Sequence, residues 1–399
     1  MWFFFSSNIA YGEEALNFLE NIPGKKCFIV TDKVLEELGI VKILTDRLDK
    51  LEKEYKIFTD VKSDPHEDDI IKGKEECIAY EPDIVIGLGG GSAMDSAKAI
   101  YAMYEYPEYT IDDFHPWNPD FYDLGKKAKM ICIPTTSGTG AETTWAIVVS
   151  RLQDDVWIKL EQAHKGIVPN YAIVDPIFTL EMPKKLTAAT GFDALAHSLE
   201  GITSGWKNEF SDALALKAVE LIFKYLPIAY EDGSNFEARD MMHQAATIAG
   251  QSFGNSQAHI GHSLGHSLAA IYHTHHGEAV GLFLPYVLQY NINDPNEANK
   301  SVDILGKFAK QLGWAKWDDD NKEAANIIIE KVKELQNKVN LSTTIKDLGI
   351  SMEDLGKNTE KIVELCLQSG CTTMSSRVPG VDDFTKLLQY AYEGIDVNF

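Results

Sequence analysis

The stretch VIGLGGGSAMDSAKAI, residues 85–100, carries an apolar β-rich run through three consecutive glycines into a helical pattern. Glycine lets backbone come close to a ligand, and the unpaired N–H groups of a helix start attract phosphate oxygens, so a diphosphate is the natural guest. The spacing is not the full G-x-G-x-x-G fingerprint, and no acid follows at the distance which that fingerprint requires. Ser92 and Asp95 have two readings here, as ligand contacts or as a helix capping box.

Upstream of this turn, KKCFIVTD (25–32) and YKIFTD (55–60) read as strands. KVLEELGIVKILTDRLDKLEKE (33–54) reads as one or two helices and HEDDIIKGKEECIAY (66–80) as another. Downstream, AKMICIPTT (128–136) and YAIVDP (171–176) are further strands. Such alternation predicts a mainly parallel sheet covered by helices. From KKLTAATGFDALAHSLEGITS (184–204) onward the apolar residues recur at helical spacing with few β-rich runs. The expected fold class is therefore an α/β nucleotide-binding domain over residues 1–182 followed by an all-α domain over 183–399. The segment 106–127, rich in proline, aspartate and aromatics, is expected to be an ordered excursion rather than a linker.

Composition narrows the partners. The 37 basic residues face 60 acidic ones, a formal charge of −23, which opposes attraction to nucleic acid or anionic lipid. Neither nucleic acid nor membrane is expected as a partner. The N-terminal MWFFFSSN is far shorter than a signal peptide, and no apolar run reaches the roughly 20 residues that span a bilayer, so the expected location is the cytoplasm. The five cysteines form no C-x-x-C pair, and buried free thiols are expected. A homo-oligomer is expected, most simply a dimer.

A second small-residue loop, PTTSGTGAETT (134–144), gathers the hydroxyls of Thr135, Thr136, Ser137, Thr139 and Thr144. It follows a strand, as the triple-glycine turn does, so the two loops are expected to face each other across one cleft. Asp32 ends the first of the strands just described and is placed either on ribose hydroxyls or at a helix N-terminus.

In the second half, AHIGHSLGHSLAAIYHTHHG (258–277) holds six of the eleven histidines. Asp193 and His197 stand at i and i+4, as do His262 and His266, so each pair shares a helix face. Carboxylate and neutral imidazole are good ligands for a divalent first-row metal, and two such pairs followed by His273, His275 and His276 point to a metal site. Spacing alone does not select the ligands among the seven histidines of these segments. A surplus of imidazoles also leaves room for a catalytic proton carrier.

Taken in order, the triple-glycine loop, PTTSGTGAE, DALAHSLE and the histidine-rich segment ending in HHG resemble the iron-containing (group III) alcohol dehydrogenases. The resemblance runs from about NIAYGEEAL to LPYVLQYN and is looser afterwards. It implies a dehydroquinate-synthase-like fold with a metal in the cleft between an N-terminal nucleotide domain and a C-terminal helical domain. It implies Asp193, His197, His262 and His276 as metal ligands and His266 as the proton-relay histidine. Positions matching the family's cofactor contacts are Asp32, Asp64, Gly90, Gly91, Ser92, Thr135, Thr136, Thr144 and Lys159, to which the loop residues Asp95 and Thr139 are added. Without the resemblance, Lys159 reads as an ordinary surface lysine. A carboxylate at Asp32 favours NAD over NADP by repelling the additional phosphate. The sequence departs from the family's commonest pattern at Ala146 and in HSLAA (266–270), which bears on substrate choice and leaves the ligand set intact.

The implied reaction is reversible hydride transfer between a primary alcohol or its aldehyde and NAD, with NADP as the alternative cofactor. The cofactor carries the hydride while the protein supplies orientation and electrostatics. Affinity order favours Zn2+ over Fe2+, whereas the resemblance favours iron. A lyase or cyclase of the same fold that uses NAD transiently is the nearest rival, but it needs basic residues for an anionic substrate. Phe192, Trp206 and Phe253 are expected near the ligands instead. A noncatalytic metal- or nucleotide-binding protein is a third reading, distinguished by its failure to produce free NADH.

Overall fold

The computed structural model describes residues 3–116, 118–153, 156–296 and 299–399. The chain divides into two compact units, Met1–Glu181 and Met182–Phe399. The first unit holds strands β1 (Asn8–Tyr11), β2 (Lys26–Val30), β3 (Glu54–Phe58), β4 (Ile84–Gly89), β5 (Lys129–Pro134), β6 (Ala146–Gln153), β7 (Val156–Ala163) and β8 (Tyr171–Val174). Its helices are α1 (Lys33–Glu37), α2 (Ile40–Lys50), α3 (Glu67–Tyr80) and α4 (Gly91–Glu105).

Six strands form one parallel sheet in the order β1-β8-β5-β4-β2-β3. Alternate residues of the central strands serve two separate apolar layers. Phe28, Val30, Val85, Met130 and Cys132 join one core, while Cys27, Ile29, Ile84, Ile86, Ile131 and Ile133 join the other. Both faces are therefore buried, which explains why these strands read as continuous apolar runs. The chain passes from β2 outward to β3 and returns to β4 on the other side of β2, so the carboxyl ends of β2 and β4 flank the topological switch point where ligands of open α/β sheets bind. Asp32 follows β2 and the triple glycine follows β4, so both lie at that edge.

The expected strands and helices of this unit form. The run 33–54 makes two helices, with Gly39 in the left-handed region at the start of the second. Two features were not anticipated. Strand β1 is a four-residue edge strand paired with β8, and β6 and β7 form an antiparallel hairpin outside the main sheet. Segment 106–127 packs through the fully buried Phe114 and Phe121; Trp117 lies outside the described residues. Cys27, Cys77, Cys132 and Cys366 are buried free thiols, and Cys371 is free and partly exposed.

The second unit contains helices α5 (Lys184–Gly201), α6 (Glu209–Glu231), α7 (Phe236–Gly254), α8 (Ile260–Tyr272) and α9 (His276–Ile292). They are followed by α10 (Ser301–Gln311), α11 (Asn321–Lys338), α12 (Met352–Gln368) and α13 (Val381–Glu393). Helix α5 is buried on every side from Thr187 to Gly201, which marks it as the central helix of this unit. Its first turn is fastened by the buried Arg239 of α7, which donates to the Thr187 hydroxyl at 2.7 Å and to the Met182 carbonyl at 2.8 Å. Among the described residues, no helix is long and apolar enough to cross a membrane.

Candidate functional site

Central helix α5 buries three ionisable side chains, Asp193, His197 and Glu200, in a row at i, i+4 and i+7. Taking an ion-forming group out of water costs several kcal/mol unless a partner compensates, so such a row needs an explanation. Helices α8 and α9 supply it. The Asp193 Oδ1 atom lies 3.9 Å from His197 Nε2, 3.7 Å from His262 Nε2 and 3.3 Å from His276 Nε2. One ligand atom from each of Asp193, His262 and His276 falls within 4.8 Å of the others. His197 stands beside this trio, its ring sandwiched between His262 (centroids 4.5 Å apart) and Phe253 (3.8 Å).

The close approach of these helices depends on glycine. A Cβ on Gly277 would lie 2.4 Å from the Ala189 carbonyl oxygen, so the turn bearing His276 rests directly on α5. His276 opens α9, and His262 occupies the first turn of α8, whose start is capped by His259. The His259 Nδ1 accepts from the Ile260 N–H at 2.9 Å, and its Nε2 lies 2.9 Å from the Thr203 hydroxyl. His259 is thus a helix cap. His273 is the exposed left-handed residue that ends α8, and His275 is exposed immediately before α9.

Burial holds the His197 imidazole down, to about 3, and that of His276 down, to about 4, so both rings keep a free lone pair. Burial lowers His262 as well, but the Glu200 and Asp193 carboxylates together outweigh it and lift the ring to about 10. Burial opposes ionisation of Asp193, yet the surrounding imidazoles hold its carboxyl well below the usual range. Glu200 is held at about 2 by His259 and His262 against the same burial.

The residues fit a divalent cation. Asp193 Oδ1 and His262 Nε2 are buried with no hydrogen-bond partner, and stand 3.7 Å apart, beyond hydrogen-bond reach of each other. An ionised carboxylate oxygen and three imidazoles form the oxygen and nitrogen donor set of a first-row metal. His266, one turn beyond His262, stacks on His276 with centroids 4.7 Å apart and lies outside the trio. Of the expected apolar neighbours, Phe253 covers His197, while Phe192 packs against Gly281 of α9 and Trp206 is 40% exposed.

In the α/β unit, the two small-residue loops meet. Ideal Cβ positions on Gly90 and Gly91 would lie 3.5 Å from Thr136 Oγ1 and 3.0 Å from Thr139 Cγ2. The Thr135 N–H donates to the Gly89 carbonyl at 3.0 Å. Gly89 itself has φ +151° and would place a Cβ 2.6 Å from that of Ala93, so only glycine suits the turn.

The capping box, one of the two readings of Ser92 and Asp95, does not form. Gly90 holds the N-cap position of α4, the Ser92 hydroxyl donates to the Ser63 carbonyl at 2.6 Å, and Asp95 accepts from the Val148 N–H at 3.0 Å. These partners lie far away in sequence, which is why a local pattern does not encode them; of the two readings of Ser92 and Asp95, the capping box is the one set aside. Asp32 caps α1 by accepting from the Leu35 N–H at 2.9 Å. Asp64 accepts from the Lys159 ammonium at 2.5 Å and the Ser150 hydroxyl at 2.6 Å, so Lys159 is an ion-paired, mostly covered residue.

Sequence reasoning overlooked two residues. Lys98, fully buried on α4, donates to the Thr144 hydroxyl at 3.2 Å and the Ala146 carbonyl at 3.1 Å beside Asp95. Its signal was the single lysine of α4, three residues after Asp95 and flanked by small and apolar residues. Glu200 accepts from the His259 N–H at 2.6 Å and faces His262 Nδ1 at 3.1 Å. Its signal was the i+7 continuation of the Asp193 and His197 stripe.

Residues 6–176 match the family description "Iron-containing alcohol dehydrogenase", and residues 187–392 match "Fe-containing alcohol dehydrogenase family, C-terminal". The chain is 35% identical over 401 residues to the NADPH-dependent butanol dehydrogenase of Clostridium saccharobutylicum, covering 100% of both chains. It is 34% identical to aldehyde-alcohol dehydrogenase 2 of Entamoeba histolytica, with 98% of this chain covering 46% of that longer protein. A crystal structure of 1,3-propanediol oxidoreductase superposes with a TM-score of 0.86 at 26% identity, covering 98% of this chain and 100% of the other. This chain belongs to the iron-containing alcohol dehydrogenase family and is an oxidoreductase that interconverts alcohols and aldehydes.

Proposed function

We propose that the chain catalyses reversible hydride transfer between a primary alcohol or its aldehyde and a nicotinamide cofactor, with NAD preferred. In this reading residues 1–182 bind the dinucleotide and residues 183–399 hold divalent iron, with zinc as the competing metal. The protein works as a homodimer in the cytoplasm. The observation that carries the reading is the buried, unpartnered Asp193 Oδ1 facing the Nε2 atoms of His197, His262 and His276. Those four residues are the proposed ligands. A divalent cation bound there supplies a Lewis acid that lowers the pKa of an alcohol.

The remaining work falls to the chain itself. Phe253 covers one face of His197 and excludes water from it. His266 is partly exposed, as His276 is, whereas Asp193, His197 and His262 are buried; stacked on His276 at the edge of the site, it is the group suited to pass a proton between the site and solvent. The loops carrying Gly90, Gly91, Ser92, Thr135, Thr136 and Thr139 offer the diphosphate backbone amides and hydroxyls at a helix start. Asp95 and Thr144, tied together through Lys98, brace those loops, and Asp64 with Lys159 forms a polar rim on the hairpin side. Asp32 accounts for the preference for NAD, because its carboxylate opposes a 2′-phosphate. The butanol dehydrogenase relative is named for NADPH, which makes this preference a sharp point to test.

The test is a panel of primary alcohols and aldehydes assayed with NAD and NADP after loading with Fe2+ or with Zn2+. Free NADH formed steadily from an alcohol is expected. No net cofactor turnover with any of them would overturn the reading.

A further inference from the structure

We propose that Glu200 is a positioning residue of the metal centre, holding the His262 ring with its Nδ1 protonated and its Nε2 turned toward Asp193. The inference rests on the proposed metal site and concerns how this chain builds it. Glu200 is fully buried on α5, the helix that also bears Asp193 and His197. A single oxygen, Oε2, takes both the His259 N–H at the start of α8 (2.6 Å) and the His262 Nδ1 (3.1 Å). One carboxylate therefore fixes the position of α8 against α5 and the rotation of the ring that α8 contributes.

The proton's place follows from donor and acceptor chemistry. A carboxylate only accepts, so the ring atom facing it is an N–H, and a ligating imidazole then has its lone pair at Nε2. That Nε2 is buried, lacks a hydrogen-bond partner and lies 3.7 Å from Asp193 Oδ1. The neighbouring His259 does not compete through its ring. Its Nδ1 is occupied by the Ile260 N–H and sits 3.7 Å from the Glu200 carboxylate. The fit of the carboxylate is tight as well, since a Cβ on Gly261 would lie 1.9 Å from Glu200 Oε1. Partners that orient a metal-bound histidine typically change metal affinity by about 10- to 100-fold when removed.

The rival role is that Glu200 merely caps the start of α8. Metal-free wild-type protein and the Asp193→Ala, Glu200→Gln and Gly261→Ala variants are titrated with Co2+, reading affinity and the d–d absorption bands. Wild-type protein should bind one ion with bands that Asp193→Ala abolishes; absence of such binding overturns the metal centre itself. Glu200→Gln preserves shape and the capping acceptor but not the charge. It should weaken Co2+ binding by about 10- to 100-fold and shift the bands. Gly261→Ala, which displaces the carboxylate without altering it, should do the same to a smaller degree. Wild-type affinity and bands in Glu200→Gln, with Asp193-dependent binding intact, would reduce Glu200 to a cap and overturn the proposal. Nitrogen-15 spectra of the zinc-loaded wild-type protein test it without any change at Glu200, the His262 signals being assigned by through-bond correlation to the residue's own backbone. Protonated Nδ1 and metal-bound Nε2 are expected, and the reverse arrangement overturns the proposal.

Discussion

The Lys98 ammonium lies 3.2 Å from the Thr144 hydroxyl, deep under the glycine turn, with the Asp95 carboxylate 3.4 Å away. The lysine is fully enclosed and the aspartate nearly so, which makes this a buried ion pair that also ties α4 to the start of β6. Removing one partner of such a pair strands the other, at a cost of about 3–5 kcal/mol. Lys98→Met should therefore lower the unfolding free energy of the α/β unit by that order in denaturant titrations. Adding Asp95→Asn should recover a large part of the loss. Equal stabilities for Lys98→Met and wild type would contradict the pairing.

His262 and His266 stand one turn apart on α8 and are assigned different work. His262 converges with Asp193 and His276, whereas His266 stacks on His276 from outside the trio. Replacing His262 with alanine should remove metal and activity together. His266→Ala should retain metal and lose about 10²- to 10⁴-fold in kcat, with an altered pH profile, as loss of a general acid-base group does. Metal content and turnover are measured on the same preparations. Loss of metal from His266→Ala would exchange the two assignments, and wild-type kinetics would leave His266 a stacking residue only.

Asp32 caps α1 through one oxygen, so its charge and its hydrogen bond need separating. Asparagine caps a helix about as well as aspartate, so Asp32→Asn should leave stability near wild type. Two unit charges about 4 Å apart in a water-like medium repel by about 1 kcal/mol, roughly a fivefold effect. The ratio of kcat/KM for NADP over NAD should rise by about that factor. An unchanged ratio would confine Asp32 to its capping role.

Much of the fold could be read from the chain because β2, β4 and β5 are apolar on both faces and the helices keep their spacing. Strand β1 escaped because four edge residues carry too little pattern, and the β6–β7 hairpin because it stands apart from the main sheet. The family was legible in four ordered motifs. Long-range partners were not. Ser92 meets the Ser63 carbonyl and Asp95 meets Val148, contacts that a local capping pattern does not encode. Glu200 was hidden for the same reason, since its partners His259 and His262 lie 59 and 62 residues away.

The central claim is that Asp193, His197, His262 and His276 hold one catalytic divalent metal. Its most direct test is turnover of a primary alcohol by chelator-treated protein of verified metal content, before and after titration with Fe2+ under anaerobic conditions. The account predicts no turnover without metal, recovery at about one ion per chain, and neither binding nor recovery in Asp193→Ala. Full alcohol oxidation by metal-free wild-type protein would contradict it.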